Sequence, residues 1–126
     1  MTEFTVHLAN RPGMLAALTE RIAEAGVHIE ALAAFGLDEL GVVHIVVTDA
    51  ATARRVLTRA GMAFEERDVL TTVLRPGPAA VAELAHDLAA AGVNIEAMYL
   101  LRTNGDSSEF AIAVDKPRVA ETRLAS

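Results

Sequence analysis

Phe4, Val6 and Leu8 alternate with Thr5 and His7, which is the period of a half-buried strand. Leu15, Leu18, Ile22 and Ala25 then recur at helical spacing, with Glu20, Arg21 and Glu24 mostly on the other side. Pro12 sits where that helix would begin, because a first-turn N–H has no intrahelical partner to lose. Gly26 supplies the left-handed residue that ends it. A second strand runs from about His28 to Phe35, turns near Asp38 to Gly41, and returns with Val43, Ile45 and Val47 facing inward. Asp49 reads as the cap of a second helix over Ala50 to Ala60, and Met62 to Arg67 as a last strand.

The same pattern then starts again. The stretch AGVHIEAL, Ala25 to Leu32, returns as AGVNIEAM, Ala91 to Met98, with six of eight positions identical at an offset of 66 residues. Extended backwards without a gap, that offset lays Leu88 over Ile22, Leu84 over Leu18, Val81 over Leu15 and Pro78 over Pro12. The tempting match of NRPG with LRPG (Leu74 to Gly77) shifts the apolar helix positions by two and fails. In the gapless register Arg11-Pro12-Gly13 lies over Gly77-Pro78-Ala79. The second copy predicts a strand at Val69 to Leu74, a helix ended by Gly92, and a strand from Asn94 to Arg102. Asn104 to Asp106 form a hairpin turn. Phe110, Ile112 and Val114 return one residue later than the offset requires, so this hairpin is one residue longer. A final helix opens at Asp115 with Pro117 in its first turn, and the chain ends at Ser126 before any counterpart of Met62 to Arg67.

Strand–helix–strand–strand–helix–strand, twice, is an α+β arrangement of two ferredoxin-like βαββαβ repeats. Each is an antiparallel four-stranded sheet with its helices on one face, the second lacking its last strand. The boundaries fall at 1–68 and 69–126. About 60 residues is a size at which a single core is marginal, so the copies are expected to pack together.

Composition removes several classes of function. The chain has 126 residues, is 52% hydrophobic with mean hydropathy +0.33, and carries a formal charge of −6 with a pI near 5.1. An acidic chain with one Tyr, four Phe and no Trp is poorly equipped for phosphates or bases, so no nucleic acid partner is expected. The absence of cysteine excludes disulfides, thiolate metal sites and a cysteine nucleophile. No apolar run approaches the ~20 residues that span a bilayer, and no basic-then-apolar leader opens the chain. A cytoplasmic location without membrane contact is the expectation. No phosphate loop, nucleophile elbow or paired general acid is present, so the chain is not expected to be an enzyme, nor to need a cofactor.

A junction reading NRPGMLAAL, followed by a helix and AGVHIEAL, resembles the ACT domain, a small-molecule-sensing module of amino-acid metabolism. AGVNIEAMYL resembles the corresponding segment of the same family more closely still. The resemblance covers about residues 3–67 and 69–124. It implies that two repeats pair side by side and hold a free amino acid, or a similar small carboxylate, at the seam. There the first strand–helix loop of one repeat faces the start of the second strand of the other.

The chemistry suits that place. A helix N-terminus offers unpaired N–H groups and partial positive charge to a carboxylate. Gly13 lets a ligand approach the backbone, and an amide side chain can both accept from an ammonium and donate to a carboxylate. The residues expected to line the seam are Asn10, Arg11, Pro12, Gly13, Met14 and Leu15 from the loop. His28, Asn94 and Ile95 come from the strand starts. The first copy keeps the loop but has His28 at the strand start. The second has Asn94 there, but its loop reads Pro76, Gly77, Pro78, Ala79. One seam, Asn10 with Asn94, therefore keeps both halves, and one ligand per pair of repeats is expected.

Other residues carry plainer readings. His7 and His44 face away from the helices on neighbouring strands, with no third ligand to make a metal site. His86 is a surface residue, and Glu30 and Glu96 are solvated strand positions. The missing last strand leaves Val69 to Leu74 as an open edge, so a homodimer is expected. Any regulatory output acts in trans, on a biosynthetic enzyme or a transporter, or through oligomerisation. The alternative is an assembly module on the same fold that binds no ligand.

Overall fold

The computed structural model describes residues 1–125, which divide into two compact units meeting at Asp68 and Val69. The first contains β1 (Thr2–Ala9), α1 (Met14–Glu24), β2 (Ile29–Leu37), β3 (Leu40–Val47), α2 (Ala50–Arg59) and β4 (Ala63–Asp68). The second contains β5 (Leu70–Leu74), α3 (Ala80–Ala90), β6 (Ile95–Asn104), β7 (Ser107–Val114) and α4 (Pro117–Leu124). The sheets run β2-β3-β1-β4 and β5-β7-β6, antiparallel throughout. β4 pairs with β1 from Thr2 opposite Asp68 to His7 opposite Ala63, so it completes the first repeat. The second keeps three strands.

Each unit buries one face of its sheet beneath its own helices. Phe4 and Val6 of β1 and Val43, Ile45 and Val47 of β3 meet Leu18 and Ile22 of α1 and Ala53 and Leu57 of α2. In the second unit Ile112 and Val114 meet Leu84, Leu88 and Ala120. The helical stripe is shorter than its spacing predicts. Leu15 and Val81, the first apolar positions of α1 and α3, are 41% and 49% exposed, and Leu15 borders a hollow over the sheet with Leu8, Ala34 and Val43 rather than filling the core. β4 adds Phe64, whose ring lies 5.6 Å from that of Phe4.

The longer second hairpin has a specific cause. Both copies break register at the start of the second strand, between Ile29 and Ala31 and between Ile95 and Ala97. β6 has a further irregularity between Leu100 and Arg102. That bulge absorbs the extra residue, so the turns still match: Asp38 and Gly105 both take positive φ, 54° and 63°.

Two helix starts differ from expectation. Pro12 is not the first helical residue: α1 begins at Met14, after a turn that places Gly13 at its N-cap. Asp115 does not open α4, whose N-cap is Lys116 with Pro117 following. The Asp115 carboxylate instead accepts from the Asn94 backbone N–H at 2.8 Å, across the sheet end. Asp49 does cap α2, accepting from the Thr52 N–H at 3.1 Å, and hydrogen bonds from Thr52 hold its carboxyl below its ordinary range.

α2 is tied to β4 by Arg54, which donates to Glu66 at 2.7 and 2.6 Å. These bonds, rather than charge alone, lower the Glu66 carboxyl. A depressed carboxylate contributes stability that is present above its unfolded pKa and is lost as pH falls through the folded one. Glu66→Gln should therefore lower the urea midpoint at pH 7. The difference should disappear as pH drops below the ordinary carboxylate range, and shrink with salt because the pair is partly exposed. Urea melts of both chains across pH check this. Leu88, fully buried, should cost about 2–5 kcal/mol on truncation to Ala. Half-exposed Leu15 should cost under about 1 kcal/mol. Paired denaturant melts would measure both.

Candidate ligand loops

Arg11 to Met14 form a tight turn, closed by the Met14 N–H on the Arg11 carbonyl at 3.4 Å. Gly13 has φ 87° and ψ −12°, the third-residue conformation of a type II turn, with Pro12 in the second position that proline favours. The equivalent turn, Gly77 to Ala80, is also closed at 3.4 Å, but Ala79 has φ −90° and ψ −7°. That is a type I turn. The two types differ by a flip of the peptide joining the central residues. A methyl at position 79 disfavours positive φ, so the Gly13 and Ala79 amides present opposite orientations in otherwise equivalent loops. Neither α1 nor α3 has a side-chain cap. Among the described residues, the N–H groups of Leu15 and Ala16 in the first turn of α1 have no partner.

Asn10 is held on two sides. Its backbone N–H donates to the Glu39 carbonyl and its Nδ2 to the Asp38 carbonyl, both at 2.9 Å. The side chain fills the place a Cβ on Gly36 would take, 2.6 Å from Nδ2. The loop is thereby latched to the β2–β3 turn, with the Asn10 Oδ1 still available as an acceptor. Pro76 and, beyond the β6 bulge, Thr103 take the places of Asn10 and Gly36 in the second repeat, so no such latch forms there. Gly36, Asp38 and Asp115 were not among the expected site residues. A glycine within a strand pattern marks close backbone approach and was the available signal for Gly36.

Asn10, Arg11, Met14 and Leu15 line a hollow of about 160 Å³ together with Phe35 and Gly36. Pro12 and Gly13 form the turn beside it. A larger hollow, about 530 Å³, flanks Arg75 to Ala80 and reaches Glu83 and Asp87 of α3. The strand-start residues lie elsewhere. His28 is exposed, with Nε2 3.9 Å from Glu30. Asn94 is exposed, its backbone fixed in both directions by Asp115, and Ile95 packs against the second core.

Register shows why one repeat cannot hold the whole set. β1 runs from Thr2, opposite Val47, to Ala9, opposite Leu40, and Ile29 also pairs with Val47. Asn10 and His28 thus sit at opposite ends of one sheet, about 25 Å apart at ~3.3 Å per residue. The second loop and Asn94 are separated in the same way, since Leu74 pairs with Ser108 and Ile95 with Val114.

On the face of the first sheet opposite the helices, His7 meets Glu65 at 2.6 Å, while His44 meets Thr5 at 3.0 Å and lies 3.7 Å from Glu3. Glu3 is 1% exposed and accepts from Arg67 at 2.6 Å. Among the described residues no cluster of three metal-ligating side chains exists, and no helix is long and apolar enough to cross a membrane. His86 is exposed.

A βαββαβ unit followed by a βαββα unit, each with its helices on one face of an antiparallel sheet, defines a tandem ferredoxin-like architecture. The chain belongs to the ACT domain pair family, whose model matches residues 1–120. Protein BT0572 from Bacteroides thetaiotaomicron superposes with TM-score 0.88 at 25% identity, over 98% of this chain and 85% of that one. The regulatory subunit of aspartate kinase from Thermus thermophilus, in ligand-free form, has TM-score 0.75 at 19% identity over 98% and 87%. That from Thermus flavus has 0.67 at 21% over 98% and 88%. Among curated proteins, comparison finds no match.

Gly36→Ala places a methyl against the Asn10 amide, and should cost about 1 kcal/mol, the net worth of the displaced hydrogen bond. Gly13→Ala should cost roughly 1–2 kcal/mol, because its φ is left-handed. Ala79→Gly should be nearly neutral. Chemical denaturation of the three variants separates these cases.

Proposed function

We propose that this chain is an amino-acid-binding regulatory protein, with the ligand held between the first loop of one repeat and the second-strand start of another. The observation that carries the reading is the pair of unpartnered amides of Leu15 and Ala16 beside the Asn10 hollow. They offer donors and a positive helix end to a carboxylate. Asn10 Oδ1 then faces the ammonium, and Asn94, from a second repeat in the same chain or another, closes the seam. The Arg11 to Leu15 side chains, with His28 and Ile95, border it. The separation of each loop from its own strand start supports a site built by two repeats. Likeness in fold to regulatory subunits of aspartate kinase supports an output in trans, on a biosynthetic enzyme, with a transporter as the other partner class. The setting is cytoplasmic and the working form a homodimer.

A second reading, an assembly module that binds no ligand, draws support from the Asn10 latch, which gives that residue a structural task, and from the exposed edge of β5.

A thermal-shift screen of the twenty amino acids tests both. Saturation at a hundred times Kd adds about 2.7 kcal/mol, a rise on the order of 10 °C for units this small. The sensor reading expects one amino acid to give that rise, with Asn10→Ala and Asn94→Ala each abolishing it and binding at one site per pair of repeats. A flat screen with a stable dimer selects the assembly module.

A further inference from the structure

On the amino-acid-binding reading given above, we propose that the hollow beside Asn10 selects an amino acid with a short aliphatic side chain. Ala34 sets how large that side chain can be.

Small residues on the helix-covered face of the first sheet make the space. Two adjacent cross-strand rows of that face run through the hollow, Leu8–Gly41–Gly36 and then Val43–Ala34. Gly41 gives Leu8 no side chain to meet, and the place above Gly36 is taken by the Asn10 amide. Ala34 lies two residues along β2 from Gly36 on the same face, about 7 Å away, and offers only a methyl. The row beyond is filled, by Phe4, Ile45 and Leu32. The open volume therefore stands over Ala34 and Val43, bordered by Met14 and Leu15 of α1.

A polar end and an apolar end thus lie one amino-acid length apart. Asn10 and the first amides of α1 mark the end for the ligand's carboxylate and ammonium, and the side chain extends over Ala34. Among the described residues Arg11 is the one charged side chain lining the hollow, and it belongs to the loop that receives the carboxylate. A charged ligand side chain over Ala34 would be buried without a partner, which costs far more than an added methylene gains. The volume is about 160 Å³, below the roughly 300 Å³ at which pockets hold drug-sized molecules, so the chain it takes is short.

The second repeat supplies the contrast. At the 66-residue offset Leu100 stands in the place of Ala34. Its cross-strand partner Phe110, past the one-residue extension of the hairpin, stands in the place of Val43. The copy with Pro76 in place of Asn10 is also the copy with the filled floor.

Isothermal titration calorimetry of the full chain with L-alanine, L-valine, L-leucine, L-phenylalanine, L-lysine and L-glutamate provides the test. Affinity should rise about tenfold or more from alanine to valine or leucine, the worth of methylenes added in an apolar pocket. Lysine, glutamate and phenylalanine should all bind more weakly than leucine. Ala34→Leu, which copies the residue of the second repeat, should remove the advantage of leucine over alanine while circular dichroism stays native. Ala34→Val should shift the same ranking in weaker form, and serves if the leucine variant folds poorly. A chain that binds none of the twenty amino acids overturns the binding reading and this proposal with it. Asn10-dependent binding that prefers a charged, polar or aromatic amino acid leaves that reading standing and overturns the proposal. So does an aliphatic preference that neither Ala34 variant alters.

Discussion

About sixty residues make a small core, and in each repeat that core lies between one face of the sheet and its own helices. Two helices cover one side, so inward positions on β1, β3 and β7 are uniformly apolar while the outward ones carry Thr5, His7 and His44. The buried Glu3 on the outward side is tolerated because Arg67 supplies its opposite charge at 2.6 Å. Sheet edges become the next problem. The first repeat guards β4 with four charged residues, whereas the second leaves β5 bare. Assembly and ligand binding are therefore both questions about what the small core leaves uncovered.

Duplication placed two sequences on one backbone and let them diverge where the backbone is most demanding. Gly13 admits a type II turn, and Ala79 takes a type I turn. The first loop is latched to its hairpin through Asn10 and the space over Gly36, and the second has no such latch. In compensation the second repeat anchors its strand start: Asp115 holds the Asn94 backbone and Lys116 donates to the Gly92 carbonyl at 2.7 Å. Each repeat has thus stiffened a different end of its sheet. In the first the rigid element is the loop, in the second the strand start, and these are the two halves that the proposed seam brings together.

Much of this was legible in the primary structure. The alternation at Phe4, Val6 and Leu8 and the helical spacing of Leu18 and Ile22 report burial directly, since each position contributes its own apolar surface. The Gly26 and Gly92 helix ends and the extra residue in the second hairpin were equally plain. Less legible was what a side chain does when two partners are open to it. Asp115 reads as the opening residue of the last helix, yet it lies before the Lys116 N-cap and its carboxylate reaches across to Asn94. Leu15 reads as core from its spacing, yet it borders the open hollow beside Asn10 and stays 41% exposed.

By itself the sequence determined the repeat, its 66-residue offset, the order of elements and the apolar face of each. Those depend on contacts between near neighbours and on a periodicity that any reader of the chain can count. Tertiary structure alone decided that the last strand of the first repeat pairs with β1, and that Asn10 grips the β2–β3 turn. It also decided that each loop lies a full strand length from its own strand start. These are matters of register between segments distant in sequence, set by which backbone groups meet, and no single segment carries that information.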